Sequence, residues 1–479
     1  MLKTARGTQA LLDLEDRSPD VLFDHVTGSP VPAWPQIRSR VAVALDELDY
    51  EITPVVAPAS ARSSSLSRFG RSFLPSRWDA AFARGRSPVC FLMGGTTTYA
   101  VGGKERNWLV GDFAERNAGR SSVVQWAPLP SPLGPPSFSP TWSLDPGSAR
   151  SAAFARLSRR DPDGEVRAIV SEVVRQLDAP LREDQVAAIV AGVAYHERVR
   201  PYVERGFARV LDRLSPSVVL VEDASYGAAA SMISMMKDRG IVVAEPQHGW
   251  IGPTHAAYNF GAAMHREPLR RTLPDELLTF GQYWSRGLRH PAPATVVGKP
   301  YLEAMASRAP RPVERNPELL VVSSAAEPEE MSDFVLHLRA GFEARWSIAF
   351  RPHPAELASL RMRYPRLLGV PGVRIDDGSD LYESLSAASA VIGVASTVLF
   401  EALEFGCRVF VRESPFVDYY VGDLFGAPIE GPEGIARVAR SLTAGESDAA
   451  GTAVARSEIW ASGGVERFQA WLGTHLAST

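Results

Sequence analysis

The sequence predicts an α/β protein with two doubly wound halves, because short apolar runs alternate with helical stretches twice along the chain. One series starts at Val218 and the other at Leu319, and in both the strand ends run into loops rich in Gly, Pro, His and Ser. Of the 479 residues, 45% are hydrophobic and 22% charged, a globular balance that excludes wholesale disorder and a polytopic membrane protein. That length supplies material for two or three domains.

Residues 1 to 86 read as an irregular and helical elaboration. One helical stretch covers Ile37 to Leu48, where Ile37, Val41, Val43, Leu45 and Leu48 recur near helical spacing. Between Ser60 and Ser87 six arginines face one acid, Asp79, with Leu66, Phe69, Phe73, Leu74 and Trp78 interleaved. Residues 60–87 are therefore either a solvated loop with docked aromatics or a peripheral contact with an anionic membrane. Val89 to Met93 reads as a buried strand ending in Gly94-Gly95. Seven prolines between Pro128 and Pro146 mark a rigid surface excursion.

Helical patterns fill 149 to 214. Strand 218–221, helix 227–239 and strand 241–244 then make a βαβ unit, followed by short strands at 277–280 and 295–297. Pro291 and Pro293 suit a linker, which divides the chain into 1–290 and 291–479. The second half alternates strand 319–322, helix 329–342, strand 347–350, helix 381–388, strand 390–392, helix 397–405 and strand 408–411. Strands this short between helices argue for parallel, Rossmann-like sheets whose ligands sit beyond the strands' carboxyl ends.

The 51 basic and 55 acidic residues nearly cancel to a net charge of −4, which leaves no field for a nucleic-acid partner. Cys90 and Cys407 stand among apolar neighbours without metal-ligand spacing and read as buried thiols in a reducing compartment. Acidic residues from Asp13 onward interrupt any signal-peptide pattern, and the 17-residue uncharged run from Ser384 to Phe400 falls short of the ~20 apolar residues of a span. The expected location is the cytoplasm, with the inner membrane face as the place any contact by 60–87 would occur.

Four loops carry candidate chemistry. Arg351-Pro352-His353-Pro354 displays a guanidinium and an imidazole on a rigid turn, fit for a phosphate-bearing ligand; the alternative is that Arg351 pairs with a carboxylate such as Glu356. Ser396-Thr397 opens a helix after strand 390–392, where free N–H groups and hydroxyls favour a diphosphate, although Ser396 can be a plain N-cap. Glu401, one turn further on, is placed to accept from ribose hydroxyls. In the first half, Gln247-His248-Gly249 ends a strand, with His255 nearby: each histidine is a candidate general base. Glu222 and Asp223 end the neighbouring strand and can either orient that imidazole or cap the following turn. No G-x-G-x-x-G and no P-loop occur.

Taken together, Gln247-His248-Gly249, the Arg-Pro-His-Pro loop, Phe280-Gly281-Gln282-Tyr283-Trp284, Val297-Gly298-Lys299-Pro300 and the run Ala395 to Gly406 resemble GT-B-fold glycosyltransferases of bacterial surface-polysaccharide synthesis. They are distantly similar to the CDP-glycerol glycerophosphotransferases of teichoic acid synthesis, although Gly249-Trp250-Ile251-Gly252-Pro253 departs from that family's pattern. The resemblance covers about residues 215 to 430 and implies two domains facing a cleft. It also implies a nucleotide-activated sugar as donor, a glycan or lipid-linked acceptor, no cofactor and no protein-held metal. On it, Arg351, His353, Ser396, Thr397 and Glu401 hold the donor, while His248, with His255 and Glu222 as further candidates, acts on the acceptor. A helix near 465–472 is expected to return to the first half. A sugar-nucleotide epimerase and a non-enzymatic binding protein are the other readings of this architecture.

Overall fold

The computed structural model describes residues 2, 5–50, 70, 72–74, 76–95, 97–311, 314–325, 327–378, 380–443 and 454–477. Its first half carries β1 (Val89–Met93), a hairpin of β2 (Thr98–Val101) and β3 (Lys104–Asn107), then β4 (Ser121–Gln125), β5 (Thr141–Ser143), β6 (Val218–Val221), β7 (Val242–Pro246), β8 (Glu276–Thr279) and β9 (Ala294–Val296). Seven of these form one sheet in the order β5-β4-β1-β6-β7-β8-β9, every pair parallel. The second half carries β10 (Glu318–Val322), β11 (Ser347–Arg351), β12 (Val373–Ile375), β13 (Ala390–Gly393) and β14 (Arg408–Val411), parallel throughout in the order β12-β11-β10-β13-β14. The two-sheet α/β architecture expected from the alternation is what the chain adopts.

The central strands are buried along their whole length, as Val218–Val221 and Ala390–Gly393 are, because helices cover both faces of a parallel sheet. Strand order reverses between β1 and β6 in one sheet and between β10 and β13 in the other. The carboxyl ends at these two points are where a doubly wound sheet leaves a crevice.

Three features differ from the sequence reading. Pro291 and Pro293 do not separate the halves: β9 pairs with β8, so the first sheet continues past them and the chain leaves it only after Val296. The excursion between Pro128 and Pro146 contains β5, an edge strand that prolines tolerate. The N-terminal region is more regular than its composition suggests, with helices Arg6–Arg17 and Trp34–Tyr50 packed on Asp163–Gln176 and Glu183–Leu214 through a core that includes Leu11, Trp34, Ile37, Val170 and Val193. The acids in the first helix hid it. Glu15, one of them, is fully buried and accepts from Arg38 Nε at 2.6 Å, Trp34 Nε1 at 2.9 Å and the backbone of Gly261 at 2.8 Å. A β-carbon at Gly261 would lie 2.5 Å from Glu15 Cβ, so this docking needs glycine.

The final helix, Gly464–Leu476, returns to the first half. Phe468 stacks on Phe113 at 4.2 Å, and Trp471 Nε1 donates to Glu276 at 2.9 Å. Among the described residues no helix is long and apolar enough to cross a membrane. Of the basic segment 60–87, positions 60–69, 71 and 75 lie outside the described residues.

Candidate functional site

A cleft of about 620 Å³ is lined by the loop after β7 on one side and by the loops after β10, β11, β12 and β13 on the other. Six of the eight residues singled out in the sequence line it: His248, Arg351, His353, Ser396, Thr397 and Glu401. Glu222 and His255 do not.

His248 Nδ1 lies 3.3 Å from Asp223 Oδ1. Asp223 follows β6 with φ of 59°, a left-handed conformation that Asp adopts more readily than most residues, and this turn brings its carboxylate to the imidazole. Asp223 is thus the carboxylate facing His248. Its neighbour Glu222 turns the other way and accepts from the backbone N–H of Gly94 at 2.6 Å and Thr97 Oγ1 at 3.4 Å, tying the loop after β1 to β6. Burial pushes the Glu222 pKa above the ordinary carboxylate value, against the pull of the Gly94 N–H.

His255 lines a separate, mostly apolar cavity of about 130 Å³ with Trp250, Tyr419 and Tyr420. Its Nδ1 accepts from Ala257 N at 3.1 Å, and its Nε2 lies 3.3 Å from the Tyr226 hydroxyl. Burial first, then the nearby His248 and Arg38, push its pKa down to about 4. It is a neutral turn cap on a wall shared with the N-terminal helices.

In the second half, His353 is held by a reciprocal cap: its Nδ1 accepts from Ala355 N at 3.2 Å while Glu356 accepts from His353 N at 2.9 Å. Nδ1 therefore carries no proton, and Nε2–H is the donor available to a ligand. Burial lowers its pKa and favours that neutral form. Arg351 is engaged, though not by Glu356. It donates to Asp376 at 2.9 Å, Ser384 Oγ at 3.0 Å and Gly378 O at 2.9 Å, whereas Glu356 is fully buried with Arg363, Tyr364 and Ser323. Burial alone would raise the Asp376 pKa, but hydrogen bonds from Ser384 and Arg351 hold it below the usual range.

Ser396 is the N-cap of the helix Thr397–Glu404, its Oγ accepting from Val398 N at 3.2 Å. Glu401 is 5% exposed and pairs with Lys299 Nζ at 3.1 Å, so the carboxylate expected to bind ribose already has a cationic partner. Lys299 went unassigned in the sequence, although it sits in the Val297-Gly298-Lys299-Pro300 turn after β9. Its ammonium lies 4.4 Å from the centre of the Trp108 ring and 5.3 Å from that of Phe280, and burial lowers its pKa while Glu401 raises it. Tyr99, on the β2–β3 hairpin, and Tyr301 and Tyr382 also went unassigned. Their rings pack in series, tilted, with centroids 4.9 and 5.0 Å apart, and wall the cleft. Nothing local marks them, because the hairpin and the two helices meet only in the folded chain. Among the described residues no group of three or more His, Cys, Asp and Glu side chains is placed to hold a metal ion.

Two parallel α/β halves, a ligand-sized cleft at their strand ends and a C-terminal helix that returns to the first half define an α/β protein of GT-B-like fold. No family model and no curated protein matches the sequence. Among solved structures, the chain is similar to Methanocaldococcus jannaschii UDP-GlcNAc 2-epimerase in complex with UDP-GlcNAc and UDP, at 12% identity and TM-score 0.47, covering 81% of this chain and 99% of that one. It is similar to Neisseria meningitidis UDP-GlcNAc 2-epimerase bound to UDP-GlcNAc at 11% and 0.47, with 81% and 99% covered. It is also similar to Phytolacca americana UGT2 complexed with UDP-2fluoro-glucose and pterostilbene at 10% and 0.41, with 82% and 100% covered.

Proposed function

We propose that the cleft is the active site of an enzyme acting on a nucleotide-activated sugar, and that it transfers the sugar to a hydroxyl acceptor. The observation that carries this reading is the shared cleft itself: His248 of the first half, with Asp223 behind it, lies in the same cavity as His353, Arg351 and the N-terminus of the Thr397–Glu404 helix. The donor's diphosphate would accept from His353 Nε2–H, the Thr397 hydroxyl and the free N–H groups of that helix, with Arg351 redirected from Asp376 as negative charge builds on the leaving group. On the other side, the Asp223 carboxylate that faces Nδ1 would steady the imidazole as it gains charge, and His248 takes the acceptor's proton through its second ring nitrogen. The acceptor oxygen forms a bond to the anomeric carbon as the carbon–oxygen bond to the diphosphate breaks, and the nucleoside diphosphate leaves with the electron pair.

Isomerisation of the donor without an acceptor is the second reading. It would use the same donor loops and the same histidine, His248 facing Asp223, and need no acceptor beside them. One experiment separates the readings. Thermal-shift titration with UDP, CDP, GDP, ADP and dTDP identifies the base, since a ligand at 100 Kd adds ~2.7 kcal/mol. The matching nucleotide sugar is then incubated with and without hydroxyl acceptors. Acceptor-dependent release of nucleoside diphosphate supports transfer, an isomer formed from donor alone supports isomerisation, and no stabilisation by any nucleotide overturns both. In the active case, His248→Ala should slow turnover by ~10²–10⁴-fold with donor affinity unchanged.

A further inference from the structure

The described portion of the basic, aromatic segment that precedes β1 does not line the cleft and lies on an exposed face of the first half. Arg150, on the helix Asp145–Leu157, donates to Ser72 O at 2.6 Å and to Asp79 at 2.9 Å. Arg213, on the helix Glu183–Leu214, donates to the carbonyl of Ala81. These bonds tie Ser72, Asp79 and Ala81 to the two helices beside a groove of about 260 Å³ that Asp79, Leu144, Phe154, Phe207 and Val210 help to line.

Two properties of this face go together. Arg205, Arg209 and Arg213 recur at four-residue spacing on one helix, which aligns them as a stripe along the groove, and all three are exposed. Among the described residues no carboxylate pairs with Arg205 or Arg209. Phe154, 52% exposed, lines the same groove, and Phe73, Leu74 and Phe82, 58%, 64% and 56% exposed, lie next to Ser72 and Ala81, which Arg150 and Arg213 hold. Large apolar side chains scattered singly on a surface need no explanation, but one in an arginine-lined groove and three next to residues held by arginines of the same two helices do.

We propose that this face docks on an anionic lipid bilayer, with the arginines at the headgroup phosphates and the four apolar tips in the acyl boundary. Charge complementarity selects a polyanion, and the apolar tips select a bilayer over a nucleic acid, which has no aliphatic layer to receive Leu74. The inference is independent of the nucleotide-sugar reading, because no residue of this face lines the cleft.

The test is co-sedimentation of the full chain with vesicles of equal parts phosphatidylglycerol and phosphatidylcholine, beside vesicles of phosphatidylcholine alone. Binding should occur to the first, weaken with added salt and be absent from the second. Arg205→Gln with Arg209→Gln should lower partitioning roughly 25-fold, about fivefold per charge. Phe73→Ser with Leu74→Ser should weaken binding while leaving its salt dependence intact. All four positions are exposed, so thermal unfolding should match the parent chain. Equal binding to both vesicle types, or unchanged binding of the arginine variant, overturns the proposal. So does a DNA duplex that displaces the chain from vesicles and binds the parent and the Phe73/Leu74 variant equally, which would make this a general polyanion surface.

Discussion

Glu245, on β7 three residues before His248, holds most of its population uncharged at neutral pH. It is completely buried, and burial pushes its pKa up to about 8, although the Ser225 side chain and the Tyr258 hydroxyl, which donates at 2.8 Å, pull the other way. The sign of the consequence follows from linkage. Below the unfolded value near 4.5 both states hold the proton; above it the unfolded chain releases a proton that the native state keeps, so stability falls until the pH passes about 8. Glu245→Gln should flatten that decline, read as melting temperature against pH in the parent and the variant. His353 allows a second separation. His353→Ala should weaken nucleoside diphosphate binding and also remove a cap worth ~0.5–2 kcal/mol, whereas His353→Asn keeps a capping oxygen and should lose only the binding, as titration calorimetry beside denaturant unfolding would read. A role in folding alone would leave the affinity of both variants unchanged. His248, Arg351 and His353 were legible as candidates because each follows a short apolar strand. Of the partners that define their chemistry, Asp223 could be named only together with Glu222 and Asp376 not at all, since 25 residues separate each acid from its partner and only the strand register sets them about 3 Å apart.

At the level of elements, the apolar strands were readable because a strand buried on both faces is a continuous apolar run, as Val89–Met93, Val218–Val221 and Leu319–Val322 are. Among strands with polar or edge character, β9 and β14 were readable and β4, β5 and β12 were not. β4 carries Ser121, Ser122 and Gln125, while β5 and β12 are three-residue edge strands whose pairing comes from a neighbour. The terminal helix shows how far one element reaches. Phe468 is fully buried between Phe113, Phe91 and Trp471, 4.2, 6.3 and 5.5 Å away. Phe468→Ala should destabilise the chain by ~3–5 kcal/mol, measured by denaturant unfolding. A loss well under 1 kcal/mol would mean that the helix only rests on the first half.

Across the whole molecule, the two halves meet at Lys299 and Glu401, one supplied by the turn after β9 and the other by the Thr397–Glu404 helix. Gly298 makes that turn possible, since its φ of 75° suits glycine and a β-carbon there would lie 2.5 Å from the Ala461 carbonyl oxygen. The buried pair gives Glu401→Gln an effect beyond any ribose contact. An uncompensated ammonium would remain among aromatic rings, and removing one partner of such a pair costs ~3–5 kcal/mol. Glu401→Gln should therefore lower the melting temperature even without nucleotide, and Lys299→Met in the same chain should restore part of it. A variant that melts like the parent but binds nucleotide poorly would return Glu401 to a purely ligand-binding role.

By itself the sequence determined the alternation of strand and helix, the two α/β halves and the loops that carry His248, Arg351, His353 and Ser396, because burial on both faces of a parallel strand and turn chemistry at its end are local constraints written in consecutive residues. Only the tertiary structure decided which carboxylate faces which base, that Lys299 and Glu401 join the halves, that Tyr99 of a hairpin completes the cleft wall and that β9 extends the first sheet beyond Pro293. Each of those depends on the register and stacking of elements far apart in the chain, and pairing energies between distant residues leave no periodic trace in a single sequence.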